Sequence, residues 1–251
     1  VKAYCEHLKD KKQPYFVMDS AGYSKSNLKT LQNMLWLTRV PETLAEAKRL
    51  VKETDQAQMT QLALGYWGKE VKSEYGGVDQ RWLVVFSQAA YERELKTLDK
   101  KRAREQEAAE KLWRKVSQPV FNCQEDAEAA CKQFNQRWKY HQASMEATPV
   151  TKHAHPGRPS VGTEPEVVGY ALSGSVQAFT PGVEEAKLSL GKFILATNEM
   201  DNQNLPAAAM LENYTAQGIS VERGFRFLKD PLFFADSLFL KSPARIMALI
   251  M

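Results

Sequence analysis

Residues 15–40 constrain the fold of this chain more than any other stretch. Tyr15-Phe16-Val17-Met18 is a short apolar run ending on Asp19, and residues 20–26 supply turn and N-cap types. Asn27 to Met34 reads as a short helix, and Leu35 to Val40 is a second β run stopped by Pro41. A strand, a helix and a strand in this compass imply a crossover and therefore a parallel pair, which points to the α/β class. Thr43 and Glu46 have capping-box spacing and open a helix to about residue 53.

The 251 residues are 43% hydrophobic and 25% charged, enough to bury a full core as one large domain or two smaller ones. A net charge of +4 favours nucleic acid only slightly by itself. Its distribution says more, because Arg223, Arg226, Lys229, Lys241 and Arg245 crowd the last part of the chain around Glu222. Three cysteines, Cys5, Cys123 and Cys131, with no C-x-x-C spacing argue against a disulfide framework and a zinc knuckle, and fit a reducing compartment. No signal-peptide pattern opens the chain and no apolar run reaches the ~20 residues of a membrane span, so the expectation is a cytoplasmic protein without a membrane partner. The opening Val1 and the closing apolar run Ala-Leu-Ile-Met suggest a fragment cut at both ends.

From residue 56 to 190 the character changes. Tyr66 to Tyr75 and Arg81 to Ser87 are β runs separated by the turn residues Gly76-Gly77. Tyr91, Leu95, Leu98, Ala109, Leu112 and Val116 mark a long charged helix before Pro119, and residues 92–115 carry nine Lys/Arg against six Asp/Glu. A second helix is expected from Gln124 to His141 on the spacing of Ala127, Cys131, Phe134 and Trp138. Together they predict a helical hairpin over 88–145. The charged helix suits a face laid along DNA, a solvated hairpin or a subunit contact equally. Residues 146–165, rich in Pro, Gly, Ser and Thr, read as a loop; Val167 to Leu172, Ser175 to Phe179 and Phe193 to Thr197 read as short strands. Leu205 to Gln217 is expected to be a helix, followed by one bearing Glu222 and a last one opened by Pro243. His153 and His155 are a weak metal candidate in a loop without neighbouring acids.

Two carboxylates stand out. On a helix, Glu222, Arg226 and Lys229 share one face opposite Val221, Phe225 and Leu228, which suits either an ordinary i,i+4 ion pair or an acid held among cations. Asp19 at a strand end suits either an Asx-turn or a metal ligand. A strand-end acid and a helical acid can hold two Mg²⁺ ions for in-line phosphoryl displacement. Ribonuclease-H-like sheets carry a first acid on an antiparallel meander, a second at the end of a following parallel strand and a third on a late helix. Asp19 fits the second position, and the first lies outside this chain, since Asp10 precedes the strand in a Lys-rich turn.

Four segments then narrow the reading: Tyr-Phe-Val-Met-Asp-Ser-Ala at 15–21, Trp-Leu-Thr-Arg-Val-Pro-Glu-Thr-Leu at 36–44, Gly-Lys-Phe-Ile-Leu-Ala-Thr-Asn at 191–198 and Val-Glu-Arg-Gly-Phe-Arg-Phe-Leu-Lys-Asp-Pro-Leu-Phe-Phe at 221–234. They resemble the DDE transposases of bacterial insertion sequences, in the branch with a large insertion before the final Glu. That branch's signature is Tyr, two residues, Arg, three residues, Glu, six residues, Lys. Tyr214, Glu222 and Lys229 match it, whereas Gln217 stands at the Arg position and four residues separate it from Glu222. Arg223 or Arg226 is then the substitute cation on the phosphates.

The resemblance implies a ribonuclease-H-like core lacking its N-terminal strands, in two parts, 1–55 and 191–251, split by an α+β insertion over 56–190. It implies Asp19 and Glu222 as catalytic and metal-binding acids, and Mg²⁺ or Mn²⁺ in a two-metal site. Tyr214, Gln217, Arg223, Arg226 and Lys229 would contact DNA. The implied activity is cleavage at transposon terminal repeats and transfer of the 3′-hydroxyl into target DNA, by a homodimer in a bacterial cytoplasm. The alternatives are a related nuclease without strand transfer and a truncated, non-catalytic DNA-binding remnant; without its first acid, the fragment alone would be inactive.

Overall fold

The computed structural model describes residues 15–152 and 165–216. It is a mixed α/β protein whose contacts divide it into two units, one holding the described residues up to Ser87 and from Phe193 on, the other Gln88–Lys192.

The first unit is built on a six-stranded mixed sheet in the order β1-β2-β9-β5-β4-β3. Its strands are β1 (Phe16–Met18), β2 (Trp36–Arg39), β3 (Thr60–Ala63), β4 (Tyr66–Tyr75), β5 (Val78–Ser87) and β9 (Lys192–Thr197). The pair β1/β2 is parallel, with Val17 opposite Leu37, as the intervening helix α1 (Lys25–Thr30) requires. β2 runs antiparallel to β9, and β3, β4 and β5 form an antiparallel meander. Gly76 and Gly77 turn the β4/β5 hairpin at φ 70° and 77°, a region open to glycine without Cβ strain.

Alternate residues of β5 serve opposite faces of this sheet. Leu83 and Val85 join Leu37, Leu195, Leu205, Met210 and Leu211 in one core cluster, the last two from a helix over residues 207–216. Trp82 and Val84 are also fully buried, so the strand is covered on both sides. The helix α2 (Ala45–Glu53) begins at Leu44 without a side-chain cap, so the expected Thr43–Glu46 capping box does not form. It buries Ala47 and Val51 at i,i+4, and that apolar stripe rather than a cap defines it.

The second unit packs α3 (Gln88–Val116) and α4 (Gln124–Asn135) on a three-stranded antiparallel sheet ordered β6-β8-β7, and adds α5 (Thr180–Lys187). Its strands are β6 (Val120–Phe121), β7 (His141–Lys152) and β8 (Glu166–Ala178). Ala109 and Trp113 of α3, Ala127, Cys131 and Phe134 of α4, and Ala143 and Leu172 of the sheet form one buried cluster.

Three expectations for this unit are corrected. The second helix stops at Asn135, not His141, because the Asn135 amide leaves the helix to bond the β7 backbone: its Oδ1 accepts from Ala143 N at 2.7 Å and its Nδ2 donates to Ala143 O at 3.3 Å. Trp138 keeps the helical spacing only because its ring turns back to lie 5.8 Å from that of Phe134. Residues 146–152, expected as loop, continue β7; Pro149 is tolerated there because β7 is an edge strand. Residues 153–164, with His153 and His155, lie outside the described residues. The two β runs at 167–179 are one strand through Gly174, where a Cβ would stand 1.8 Å from Ser144 O and where φ is +145°. The Trp113 indole donates to Gly174 O at 3.2 Å and fixes α3 to this point.

Candidate functional site

Asp19 closes β1 at its C-terminal end, where a strand parallel to its neighbour delivers side chains to the sheet rim. Its backbone is held from two directions. The buried Thr38 of β2 donates its hydroxyl to Asp19 O at 2.9 Å, and Gly22 N donates to the same oxygen at 3.1 Å. The carboxylate is exposed and caps a single 3₁₀ turn, Ser20–Gly22, with Oδ1 accepting from Ala21 N at 3.0 Å. That is an Asx-turn, so the structural reading of Asp19 is realised. It occupies Oδ1; among the described residues that is the only hydrogen bond to the carboxylate, and Oδ2 is left without one.

Beyond the turn, Tyr23 anchors the segment. Its ring is buried, lies 5.0 Å from Tyr75 in a stacked arrangement and meets Trp36 edge-on at 6.5 Å. Its hydroxyl donates to Gln80 Oε1 at 2.7 Å, an oxygen that also accepts from the Trp82 indole at 2.9 Å. Gln80 Nε2 donates to Tyr75 O at 3.2 Å, so both ends of this fully buried amide are satisfied. Burial pushes the Tyr23 phenol well above its ordinary range. The Asp19 turn is therefore fastened to the β4/β5 hairpin through a saturated polar network, which holds the acid in place without using it.

The opposite end of β1 is organised differently. Tyr15 lies 3.4 Å from Glu199 Oε2, and burial, then the Glu199 carboxylate, raises its phenol above the usual value. Asn198 spans Met34 and Trp36, accepting from Trp36 N at 3.0 Å and donating to Met34 O at 2.8 Å. Thr197 donates to Trp36 O at 2.7 Å. The motif residues Thr197 and Asn198 thus sew β9 to β2. Arg81, 5% exposed, donates from Nη2 to Leu205 O and places Nη1 3.4 Å from Glu70 Oε1. An arginine within the apolar run of β5 was the sequence signal for this cluster, whose contacts are those of an internal brace.

Tyr214 lies on the 207–216 helix, half-buried against the first unit's core, its ring 6.4 Å from Phe193. Arg39 pairs with Glu42 at 2.6 Å and stacks on Phe193 at 5.3 Å, and Trp36 is a core aromatic. Gln217, Glu222, Arg223, Arg226 and Lys229 lie outside the described residues. Among the described residues no three His, Cys, Asp or Glu side chains gather to hold a metal ion, and Asp19 is the strand-end acid available for one. Cys123 and Cys131 are free, and no described helix is long and apolar enough to cross a membrane. No protein-family model, curated protein or solved structure matches the chain.

Proposed function

We propose that the chain is part of a DDE-type transposase, acting on the phosphodiesters of transposon ends with Asp19 and Glu222 as two of its three acids. The observation that carries the reading is the exposed Asp19 carboxylate at the end of a parallel strand, held by Thr38 and the Tyr23 network yet with Oδ2 unengaged among the described residues. The four segments quoted above support it, since Asp19, the β2 strand, the β9 strand and Glu222 fall in the order that the resemblance requires.

Asp19 suits a hard divalent cation: an exposed carboxylate at the sheet rim, with its backbone fixed and, among the described residues, a hydrogen bond to Oδ1 alone. Glu222 would join Asp19 as a second carboxylate ligand. Mg²⁺ or Mn²⁺ held there supplies Lewis-acid polarisation of the phosphoryl oxygens. The chain's own contribution is to position Asp19. Arg223, Arg226 and Lys229, with Tyr214 and Gln217, would engage the backbone phosphates of the DNA end.

The test takes the protein of the complete reading frame, Mg²⁺ and a labelled duplex carrying the DNA that flanks the gene. Cleavage followed by joining of the freed 3′-hydroxyl to a second duplex is expected. Asp19→Asn or Glu222→Gln should lower cleavage by roughly 10³-fold or more, about 4 kcal/mol of transition-state stabilisation. Cleavage without joining identifies a nuclease; binding without either identifies a non-catalytic remnant. Undiminished cutting by Asp19→Asn removes the assignment.

A further inference from the structure

The long helix α3 sorts its charges by face. On a wheel of about 100° per residue, Arg93, Lys96, Lys100, Arg104, Lys111 and Lys115 all fall within roughly 60° of one line, and all are exposed. Arg114 lies at the margin of the same face, and Glu107 is its only acid. The stripe faces away from the side of α3 that buries Leu98, Ala109 and Trp113. From Arg93 to Lys115 it is about 33 Å long, close to one turn of duplex DNA.

The other five acids of the cation-rich stretch lie about 100–120° off the stripe, and each is engaged. Glu92 accepts from Gln88 at 2.9 Å, Glu94 from Gly191 N at 2.8 Å, and Glu110 from Gln106 at 2.9 Å. Asp99 takes Arg102 at 3.4 Å; Glu105 takes Tyr140 N at 2.7 Å and faces His141 Nδ1 at 3.1 Å. None of the six cations of the stripe forms an ion pair among the described residues. An ordinary solvated helix intersperses its signs and pairs them at i,i+4. Here the flanking carboxylates are engaged, and among the described residues the six cations of the stripe, with Glu107 the one acid among them, form no ion pair.

We infer that this face of α3 binds the sugar-phosphate backbone of double-stranded DNA without reading its sequence. The choice of DNA among polyanions rests on the transposase reading; the demand for a linear polyanion rests on the stripe itself. The uncharged residues between the cations are small, Thr97 and Ala108, so the face offers no apolar anchor for a lipid surface. It has no aromatic ring on which a single-stranded base would stack. Duplex DNA presents one charge per ~1.7 Å of axis, and cations spaced by three, four and seven residues match a backbone followed along its length.

The experiment measures binding of the 251-residue chain to a fluorescent duplex of arbitrary sequence over a salt series. The variant K96Q/K100Q/R104Q/K111Q alters only exposed positions and keeps good helix formers, and its circular dichroism should match the parent. Binding is expected to weaken at least tenfold at low salt, and the slope of log K against log salt to flatten by up to about 3.6. K100R/K111R should bind as the parent does, and a lone K100E should weaken binding should the quadruple variant misfold. Equal affinity and slope for parent and quadruple variant overturn the inference. So does failure of the parent to bind duplex at low salt, or tighter binding to phosphatidylserine vesicles or polyglutamate. Val168→Thr, at an exposed position off the stripe, should leave this binding unchanged. Stripe-dependent binding with no cleavage by the complete protein sinks the transposase reading alone, whereas Asp19-dependent cleavage that ignores the quadruple substitution sinks the stripe alone.

Discussion

The two sheets are covered in different ways. In β5 every residue except Asp79 is buried, because the six-stranded sheet has cover on both faces. In β7 exposure alternates from His141 to Thr148, because α3 and α4 cover one face of the three-stranded sheet and solvent takes the other. The first arrangement leaves functional groups only at strand ends and in the loops beyond them, which is where Asp19 stands. The second leaves whole faces open, and the exposed side of α3 is one of them. Where a sheet is buried twice, chemistry collects at its rim; where it is buried once, broad surfaces remain for binding.

Substitutions can break this contrast, beginning with the greatest effect. Trp82→Ala should cost about 4 kcal/mol, since it empties a fully buried site and removes one donor from Gln80; a fall in the denaturant midpoint with unchanged slope would register it. A loss under 1 kcal/mol would mean that β5 is not doubly covered. Asn135→Ala should cost about 2 kcal/mol, as the Ala143 backbone loses both partners at the α4–β7 junction. Faster hydrogen exchange confined to that junction would locate the damage.

Smaller effects sharpen the contrast through pH. Tyr23 and Tyr15 both have phenols raised in the folded state above the 10.0 of the free side chain. A folded value above the unfolded one means that the stabilisation is complete below pH 10 and is lost as pH rises past it. Tyr23→Phe should therefore cost about 1 kcal/mol at neutral pH, through the lost bond to Gln80, and flatten the alkaline decline seen in the parent. Unfolding series at several alkaline pH values distinguish the two slopes. On the open side, Val168→Thr should change stability by less than about 0.5 kcal/mol, because that side chain is half-exposed.

Much of the local structure was written in short stretches of sequence. The parallel β1/β2 pair followed from an apolar run, a helix and a second apolar run, and the β4/β5 turn from two adjacent glycines. The body of α3 followed from its apolar spacing. Pro149 and the threonines beside it have the composition of a loop, and only the position of β7 at a sheet edge makes a proline acceptable within the strand. Trp138 prolongs the helical spacing beyond the end of α4 at Asn135 through a contact with Phe134 rather than through helix. At the site, the strand-end position of Asp19 was legible, whereas the Tyr23–Gln80–Trp82 network joins residues 57 positions apart and leaves no local pattern. The cation stripe was present in the sequence but visible only when charges are sorted by face instead of summed.

What the sequence determined by itself are the features set within a few residues: the apolar periods that make β1, β2, β5 and α3, the glycines that allow left-handed turns, and the identity of the acid ending β1. Tertiary structure alone decided that β9 lies between β2 and β5, that Thr38 and Tyr23 fasten the Asp19 turn, and that the acids flanking the α3 stripe are engaged while its cations are not paired among the described residues. The physical reason is range. Backbone preference and side-chain period act over one or two turns, whereas a buried hydrogen bond or an ion pair depends on which distant segment packing brings within about 3 Å.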